Sequence, residues 1–291
     1  MVLSFHPLFE ADHNILCAGR DPGPMDLAAI RKADAVILSQ GCSRKLYEIA
    51  RNNCAHVFPN YDVRFSHAGK IGQIRLFRET GTHHPVTEIF PNVNAFSDVY
   101  KNRARRPPLC LPTVGKFDWG GEGHTVFLIQ SLDELQQFLQ TAQRFESSGL
   151  MGFLFQEYVP GVIRSLRVAI VGRQAISYWR VVTADNKFHA NLSRGAVIDR
   201  ETDPALQQAG IDAVKRLCRQ TGINLAGFDV IFPSQEPHPE PLLLEINYFF
   251  GRTGLGGSDG YYQLLRREIR AWLEQINPGS TSPSAPGQAL P

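Results

Sequence analysis

The sequence predicts an α/β protein of α+β type, a small N-terminal α/β unit followed by two α+β lobes. Two patterns point there. The first sixty residues alternate short apolar runs with helical stretches, and further on two long helical segments each lie beside antiparallel strand-like runs. A chain of 291 residues, 43% hydrophobic and 20% charged, can build one large or two modest cores of ordinary globular type.

Strands are expected at Val2 to Phe5, Asn14 to Ala18, Ala35 to Ser39 and His56 to Pro59, with helices around Met25 to Lys32 and Ser43 to Asn52. Lys70 to Glu79 sets Ile71, Ile74 and Phe77 at helical spacing, stops at Thr80-Gly81, and gives way to a strand at Pro85-Val86-Thr87. Leu111 to Phe117 and Thr125 to Ile129 read as two strands of a hairpin whose turn is the glycine-rich segment Trp119 to His124. Ser131-Leu132-Asp133-Glu134 is a capping box: the serine oxygen accepts from the backbone, Glu134 reaches back, and a helix runs to about Phe145. Phe153 to Tyr158, Ser165 to Val171 and Ala175 to Val182 are strands, the last two joined by a turn at Val171 to Gln174. Pro204 to Thr221 is helical, and Tyr261 to Ile276 closes the fold with Leu265, Ile269, Trp272 and Ile276 on one face. The expected domains are 1–64, then 65–276 with an inner lid lobe at about 113–158, then a Pro, Ser and Gly rich tail, 277–291, expected to be disordered.

A formal net charge of +2 is too mild to imply a nucleic-acid or anionic-membrane partner. The basic cluster Lys101 to Arg106 precedes Pro107-Pro108 and reads as a solvated loop. Five scattered cysteines form no CxxC pair and read as buried reduced thiols. No signal-peptide pattern and no run of membrane-spanning length is present, so a cytoplasmic protein is expected.

Asp229 stands in Gly227-Phe228-Asp229-Val230-Ile231, and the run Leu242-Leu243-Leu244 delivers Glu245-Ile246-Asn247. Side chains alternate along a strand, so Glu245 and Asn247 share a face, Ile246 turns to the core, and Asp229 can join from a neighbouring strand. Alone, such residues serve equally as strand-end caps in solvent. The apolar runs around them draw them toward a buried edge, where carboxylates need a cation. Hard oxygen ligands of this kind suit Mg²⁺ completed by phosphate oxygens, which makes nucleotide chemistry the first expectation.

Lys116 precedes Gly120, Gly121 and Gly123, a cation beside backbone N–H groups open to phosphate, although a hairpin turn with a surface lysine explains the same residues. Gln156-Glu157-Tyr158-Val159 leaves a strand where backbone groups can meet an adenine edge; a plain strand end is the alternative. Arg167 shares a face with Ser165, and Arg180, Asn191 and Arg194 follow in polar stretches. Arginine forks bind phosphate or carboxylate bidentately, yet each one singly also fits a surface role. His83-His84 has no partner at metal-ligand spacing, and Gly251 to Gly257 does not open a dinucleotide fold.

The order of Lys70, Pro85-Val86-Thr87, Lys116 with its glycine loop, Gln156 to Val159, Arg167, Asn191-Leu192-Ser193-Arg194-Gly195, Asp229, Glu245 and Asn247 resembles the ATP-grasp superfamily. It is most similar to RimK-type ribosomal-protein glutamate ligases and glutathione-synthetase-like enzymes, over roughly residues 60 to 276. The resemblance implies ATP held between two α+β lobes. Lys70 and Lys116 then lie on its phosphates, the loop of Gly120, Gly121 and Gly123 covers them, Gln156, Glu157, Tyr158 and Val159 lie against adenine, and Arg180 joins the nucleotide contacts. Asp229, Glu245 and Asn247 hold Mg²⁺, or Mn²⁺ in its place. Arg167 faces the γ-phosphate, with Asn191 and Arg194 near an acyl phosphate made by a substrate carboxylate and opened by an amine to form an amide.

Three departures stand out: Ser165 where RimK-like members carry an acid, Tyr248-Phe249-Phe250-Gly251 after Asn247 in place of a small-residue and proline pattern, and a short N-terminal unit. The expectation is an ATP-dependent carboxylate-amine ligase whose donor and acceptor, and any self-association into a homo-oligomer, are left open. Two rivals are an ATP-grasp kinase phosphorylating a small-molecule hydroxyl and an ATP-binding module without catalysis.

Overall fold

The computed structural model describes residues 1–17, 19–101, 110–120, 124–181, 197–234 and 239–276. The chain divides into two compact units: Met1–Asn60 with Val171–Gln174 and Gly251–Pro291, and Tyr61–Ile170 with Ala175–Phe250.

The first unit opens with β1 (Val2–Ser4), β2 (His13–Asn14), α1 (Pro24–Lys32), β3 (Ala35–Ile37), α2 (Arg44–Asn53) and β4 (Val57–Phe58). Its strands form one parallel sheet in the order β2-β1-β3-β4. Strands covered on both faces need unbroken apolar runs, and Ala35, Val36 and Ile37 are fully buried. Helix α1 starts at Pro24, where a missing N–H costs nothing, and Asp26 accepts from the Gly23 N–H at 2.7 Å. Ser43 caps α2 by accepting from the Leu46 N–H at 3.2 Å. The strand expected at Asn14 to Ala18 is shorter and begins at His13. Only His13 and Asn14 pair with β1, Leu16 is exposed, and Ala18 lies outside the described residues.

The second unit runs through α3 (Asp62–Ser66), α4 (Gly69–Glu79), β5 (Thr87–Phe90), α5 (Val93–Lys101), β6 (Thr113–Phe117), β7 (Val126–Ile129), α6 (Leu132–Ser147) and β8 (Phe153–Glu157). It continues with β9 (Arg164–Val171), β10 (Gln174–Val181), β11 (Val197–Asp199), α7 (Pro204–Thr221), β12 (Leu225–Ile231) and β13 (Leu242–Asn247). One lobe is the antiparallel sheet β5-β8-β6-β7 with α5 and α6. Its core is aromatic: Phe90, Phe96, Phe117, Phe138, Phe153 and Phe155 pack together, with Phe117 stacked on Phe138 at 4.5 Å between ring centroids. The other lobe is the sheet β11-β10-β9-β12-β13. There Leu166, Val168, Phe228, Val230 and Ile246 pack with Val214 and Leu217 of α7 and with Ile74 and Phe77 of α4. The expected α/β unit and the two α+β lobes are thus present.

Ser131 accepts from the Glu134 N–H at 3.2 Å as a capping residue, but Glu134 reaches past it to the Gln130 N–H at 2.6 Å. Two helices were not expected from the sequence, α3 and α5. The start of α5 is held by Asn92, which accepts from the Ala95 N–H at 2.7 Å, and Val93 and Phe96 turn inward. The last helix, α8 (Gly257–Ile276), buries Leu265 and Ile269 and sets Trp272 against Phe58 at 5.6 Å, so it packs with the first unit although the expected span 65–276 contained it. The basic segment after Lys101 and the tail 277–291 lie outside the described residues. Among the described residues no helix is long and apolar enough to cross a membrane.

Truncating Phe138→Ala removes the ring shared by Phe117, Phe127, Phe153 and Phe155. We expect a loss of about 3–5 kcal/mol, read as an earlier urea transition followed through Trp119, which stacks on Phe117 in the same core.

Candidate nucleotide and metal site

The floor of the site is the pair β12 and β13. Their register sets Asp229 directly opposite Glu245 and Gly227 opposite Asn247, with a bulge after Asp229. Opposed residues share a face, so the two carboxylates and the amide of Asn247 project together while Ile246 is buried on the other side. Asn247 Nδ2 donates to Asp229 Oδ2 at 3.3 Å.

Asp229 is buried and held by two arginines. Arg167 donates from Nε to Oδ1 at 2.7 Å and from a terminal nitrogen to Oδ2 at 3.3 Å, and Arg180 reaches Oδ1 at 2.7 Å. Arg180 also donates to Ser165 Oγ at 2.9 and 3.2 Å. Burial works to raise the Asp229 carboxyl, but Arg167 and Arg180 hold it below the usual carboxylate range. Arg167 feels the same balance reversed: burial opposes its charge, and Asp229 restores it. Gly227 makes the arrangement sterically possible, because a Cβ there would sit 2.9 Å from the Arg167 guanidinium and from Phe250 Cβ.

The facing wall comes from α4, β6 and β8. Lys70, Lys116, Leu154, Gln156, Leu244 and Glu245 line a narrow cleft of about 20 Å³. Gly69, at φ +75°, brings the first turn of α4 against Asp118, whose Oδ1 accepts from the Ile71 N–H at 2.7 Å. Lys70, in that turn, donates to Trp119 O and Gly120 O at 3.1 Å each and to Thr125 Oγ1 at 3.3 Å. Lys116 donates to Gln156 Oε1 at 2.6 Å; Gln156 donates onward to Thr87 Oγ1 at 3.0 Å, and Thr87 to Pro85 O at 2.7 Å. Burial pulls the Lys116 ammonium down to about 8 against the opposing pull of Glu245, and burial lowers Lys70 as well. Burial raises Glu245, and Asp229 opposite adds to that rise.

The structure therefore gathers Lys70, Lys116, Gln156, Arg167, Arg180, Asp229, Glu245 and Asn247. Glu157 is not among them: its carboxylate accepts from the Val86 N–H at 3.3 Å on the exposed side of β8, and Tyr158 and Val159 follow past the strand end. Gly120, at φ +82°, offers its carbonyl to Lys70. Gly121, Gly123, Asn191 and Arg194 lie outside the described residues. Asp118 and Gln73 were not singled out from the sequence, and Thr87 entered only within Pro85-Val86-Thr87, without a role. Gln73, three residues after Lys70, clamps the β13 backbone by donating to Ile246 O at 2.9 Å and accepting from Ile246 N–H at 2.8 Å. A polar residue one turn from Lys70 on a helix with an apolar face was the available signal.

Among the described residues no group of three or more His, Cys, Asp or Glu gathers to hold a metal. The candidate donor set is two carboxylates and an amide, all hard oxygens, which suits a divalent ion completed by phosphate. Lys70, Lys116, Arg167 and Arg180 outnumber Asp229, Glu245 and the nearby Asp118, leaving positive charge for an anion to complete.

Two α+β lobes with cations and hard oxygen donors between helix α4 and the sheets define the ATP-grasp class. Residues 69–260 match the family described as the RimK-like ATP-grasp domain, and the chain belongs to that family. Solved structures agree in fold. An N5-carboxyaminoimidazole ribonucleotide synthetase, purK, in its ADP complex matches at TM-score 0.60 and 13% identity, over 90% of this chain and 66% of that one. A RimK-domain ATP-grasp protein from Sphaerobacter thermophilus DSM 20745 matches at 0.58 and 14%, over 92% and 98%. The D-alanine-D-alanine ligase from Helicobacter pylori matches at 0.57 and 15%, over 81% and 72%. No curated protein sequence matches the chain.

Two outcomes test the electrostatics. Asp229→Asn leaves two buried guanidinium groups without their carboxylate, and we expect a loss of about 3–5 kcal/mol in denaturant unfolding. Lys116 titrates near 8 when folded and near 10.5 in the unfolded chain, so between those values the unfolded state binds the extra proton. Stability of the nucleotide-free protein should therefore rise with pH from about 8 toward 10.5 relative to Lys116→Met, which lacks the group; parallel profiles for the two proteins would contradict the burial of this ammonium.

Proposed function

We propose that the protein is a Mg²⁺- and ATP-dependent ligase that joins a carboxylate to an amine. The observation that carries this reading is the convergence of Lys70, Lys116, Arg167 and Arg180 on Asp229, Glu245 and Asn247 in one lobed unit of this fold. Relatives in fold support it by name: a synthetase bound to ADP, a D-alanine-D-alanine ligase and an L-amino acid ligase.

In this reading Glu245, Asp229 and Asn247 hold the ion, and Lys116 and Lys70 take phosphate oxygens. The ion supplies charge neutralisation and a fixed template among phosphate oxygens. The chain supplies position and charge rather than a covalent nucleophile. Arg167 and Arg180 keep Asp229 ionised, and a cation beside Glu245, whose carboxyl burial raises, would favour its carboxylate form. Gln156 aims the Lys116 ammonium along the cleft. Asn191 and Arg194 remain proposed for the reacting carboxyl, and the Glu157 to Val159 segment for adenine. Tyr248 to Gly251 is where acceptor choice would differ from other RimK-like chains.

Purified protein should release ADP when a suitable carboxylate and amine are present, in a panel of amino acids, dipeptides and protein tails, with mass spectrometry showing an amide product. Glu245→Gln is expected to lower turnover by at least roughly 100-fold, the scale of losing an electrostatic contact made at the reacting centre, with an unchanged circular dichroism spectrum. Retained turnover in that variant sinks the metal assignment. A stable phosphorylated acceptor in place of an amide sinks the ligase reading in favour of a kinase, and tight ATP binding without ADP release across the panel favours a module without catalysis.

A further inference from the structure

Strand β13 carries Glu245 and Asn247 and stands last in the sheet order β11-β10-β9-β12-β13. An edge strand is paired along one side only, so every second residue turns its N–H and C=O away from the ladder. Ile246, between the two donor residues, is one of these. A single side chain answers both of its outward groups: the Gln73 amide donates to Ile246 O at 2.9 Å and accepts from the Ile246 N–H at 2.8 Å.

This double contact holds more than one residue. The Ile246 N–H lies in the rigid peptide plane shared with Glu245, and the Ile246 C=O in the plane shared with Asn247. Fixing both planes fixes the backbone from which the two donor side chains leave on their common face. An amide suits the task, because it sets a donor beside an acceptor as a neighbouring peptide would. The ladder to β12 does less here than in a regular sheet, since its register shifts between Asp229 and Val230, next to the pairing of Asp229 with Glu245.

The helix that carries Gln73 is anchored separately at its start. There Asp118 Oδ1 accepts from the Ile71 N–H at 2.7 Å, and the Lys70 ammonium donates to Trp119 O and Gly120 O at 3.1 Å each. The first turn of α4 is thus tied to the end of β6 and the hairpin beyond it, and the next turn, through Gln73, to β13. The remaining packing of α4 on this sheet is apolar, with Ile74 and Phe77 in the cluster of Leu166, Val168, Phe228 and Ile246. Apolar contact is non-directional, so the orientation of the Ile246 peptide groups falls to Gln73.

We propose that Gln73 is a positioning residue for the divalent ion: through the two peptide groups of Ile246 it holds Glu245 and Asn247 in the common orientation from which both meet one cation. It acts on the metal side of the site and leaves the lysines in place. The inference rests on the part of the proposed function that makes Glu245 and Asn247 metal donors, not on the reaction that follows nucleotide binding.

The test is titration of Mn²⁺ into the full chain with adenylyl imidodiphosphate, a non-hydrolysable ATP analogue, the free ion being read from its electron paramagnetic resonance signal. Gln73→Met keeps the length of the side chain and removes both hydrogen bonds. We expect Mn²⁺ affinity to fall roughly tenfold to a hundredfold, the scale on which partners of metal ligands act. Affinity for the analogue without metal should stay as in the parent, because Lys70 is anchored through the hairpin and Asp118. Unchanged Mn²⁺ affinity overturns the proposal, and so does an equal loss of metal-free nucleotide binding, the mark of a side chain that only supports the fold. Should Gln73→Met fail to fold, Gln73→Glu decides, since its carboxylate accepts from the Ile246 N–H but cannot donate to Ile246 O: weaker Mn²⁺ binding at retained nucleotide affinity supports the assignment, and binding as in the parent overturns it. A parent that binds Mn²⁺ with the analogue yet forms no amide loses the ligase reading and keeps this inference. A parent that binds no Mn²⁺ loses the metal assignment and this inference with it.

Discussion

Asp229 is the constraint around which the second unit is arranged. A carboxylate taken out of water in the middle of a sheet is tolerable only if its charge is answered at close range. Arg167 from β9, Arg180 from β10 and Asn247 from β13 provide this, so one side chain ties together three further strands. The demand propagates outward. Arg167 needs space that only a glycine at 227 leaves, Arg180 takes Ser165 as an additional partner, and the apolar face beneath carries Leu166, Val168, Phe228 and Ile246.

Excluding water around Asp229 fixes the behaviour of the neighbours. Glu245 opposite it is harder to ionise than a free glutamate, and the two lysines are harder to protonate than free lysines. Each shift measures the same thing, a set of charges held apart from solvent and incompletely matched. A ligand that brings negative charge together with a divalent ion meets both deficits at once, because the ion answers the carboxylates and the phosphates answer the lysines. Such a cluster has no equally good structural use, since apolar residues of similar volume would fill the same space at lower cost.

What the sequence disclosed and what it withheld follow from the range of the interactions involved. The common face of Glu245 and Asn247 is a consequence of strand alternation, and so is the inward turn of Ile246; both were legible in a six-residue run. Helix α7 was legible to the residue, with Pro204 at its start and Gly222 in the left-handed region at its end. The placement of Asp229 opposite Glu245 was not, because it depends on the register of β12 and β13 and on the bulge between Asp229 and Val230. Asp118 and Gln73 act across 47 and 173 residues of sequence, and no local pattern marks such partners. Glu157 stands at the end of β8 as expected, and its carboxylate accepts from the Val86 N–H, a contact no local pattern announced.

Counting protons at the two lysines separates their roles further than position does. An ammonium has three N–H groups. All three of Lys70 are already committed, to Trp119 O, Gly120 O and Thr125 Oγ1, so a phosphate oxygen reaching Lys70 must displace at least one acceptor in the hairpin between β6 and β7. Lys116 donates once, to Gln156, and keeps two protons for an incoming anion at no cost to the backbone. Lys116 is therefore the lysine with protons to spare for an anion, and its direction is set by the relay through Gln156 and Thr87. Lys70 is instead a clasp on the hairpin between β6 and β7, and any anion that drew on its ammonium would do so at the expense of that hold.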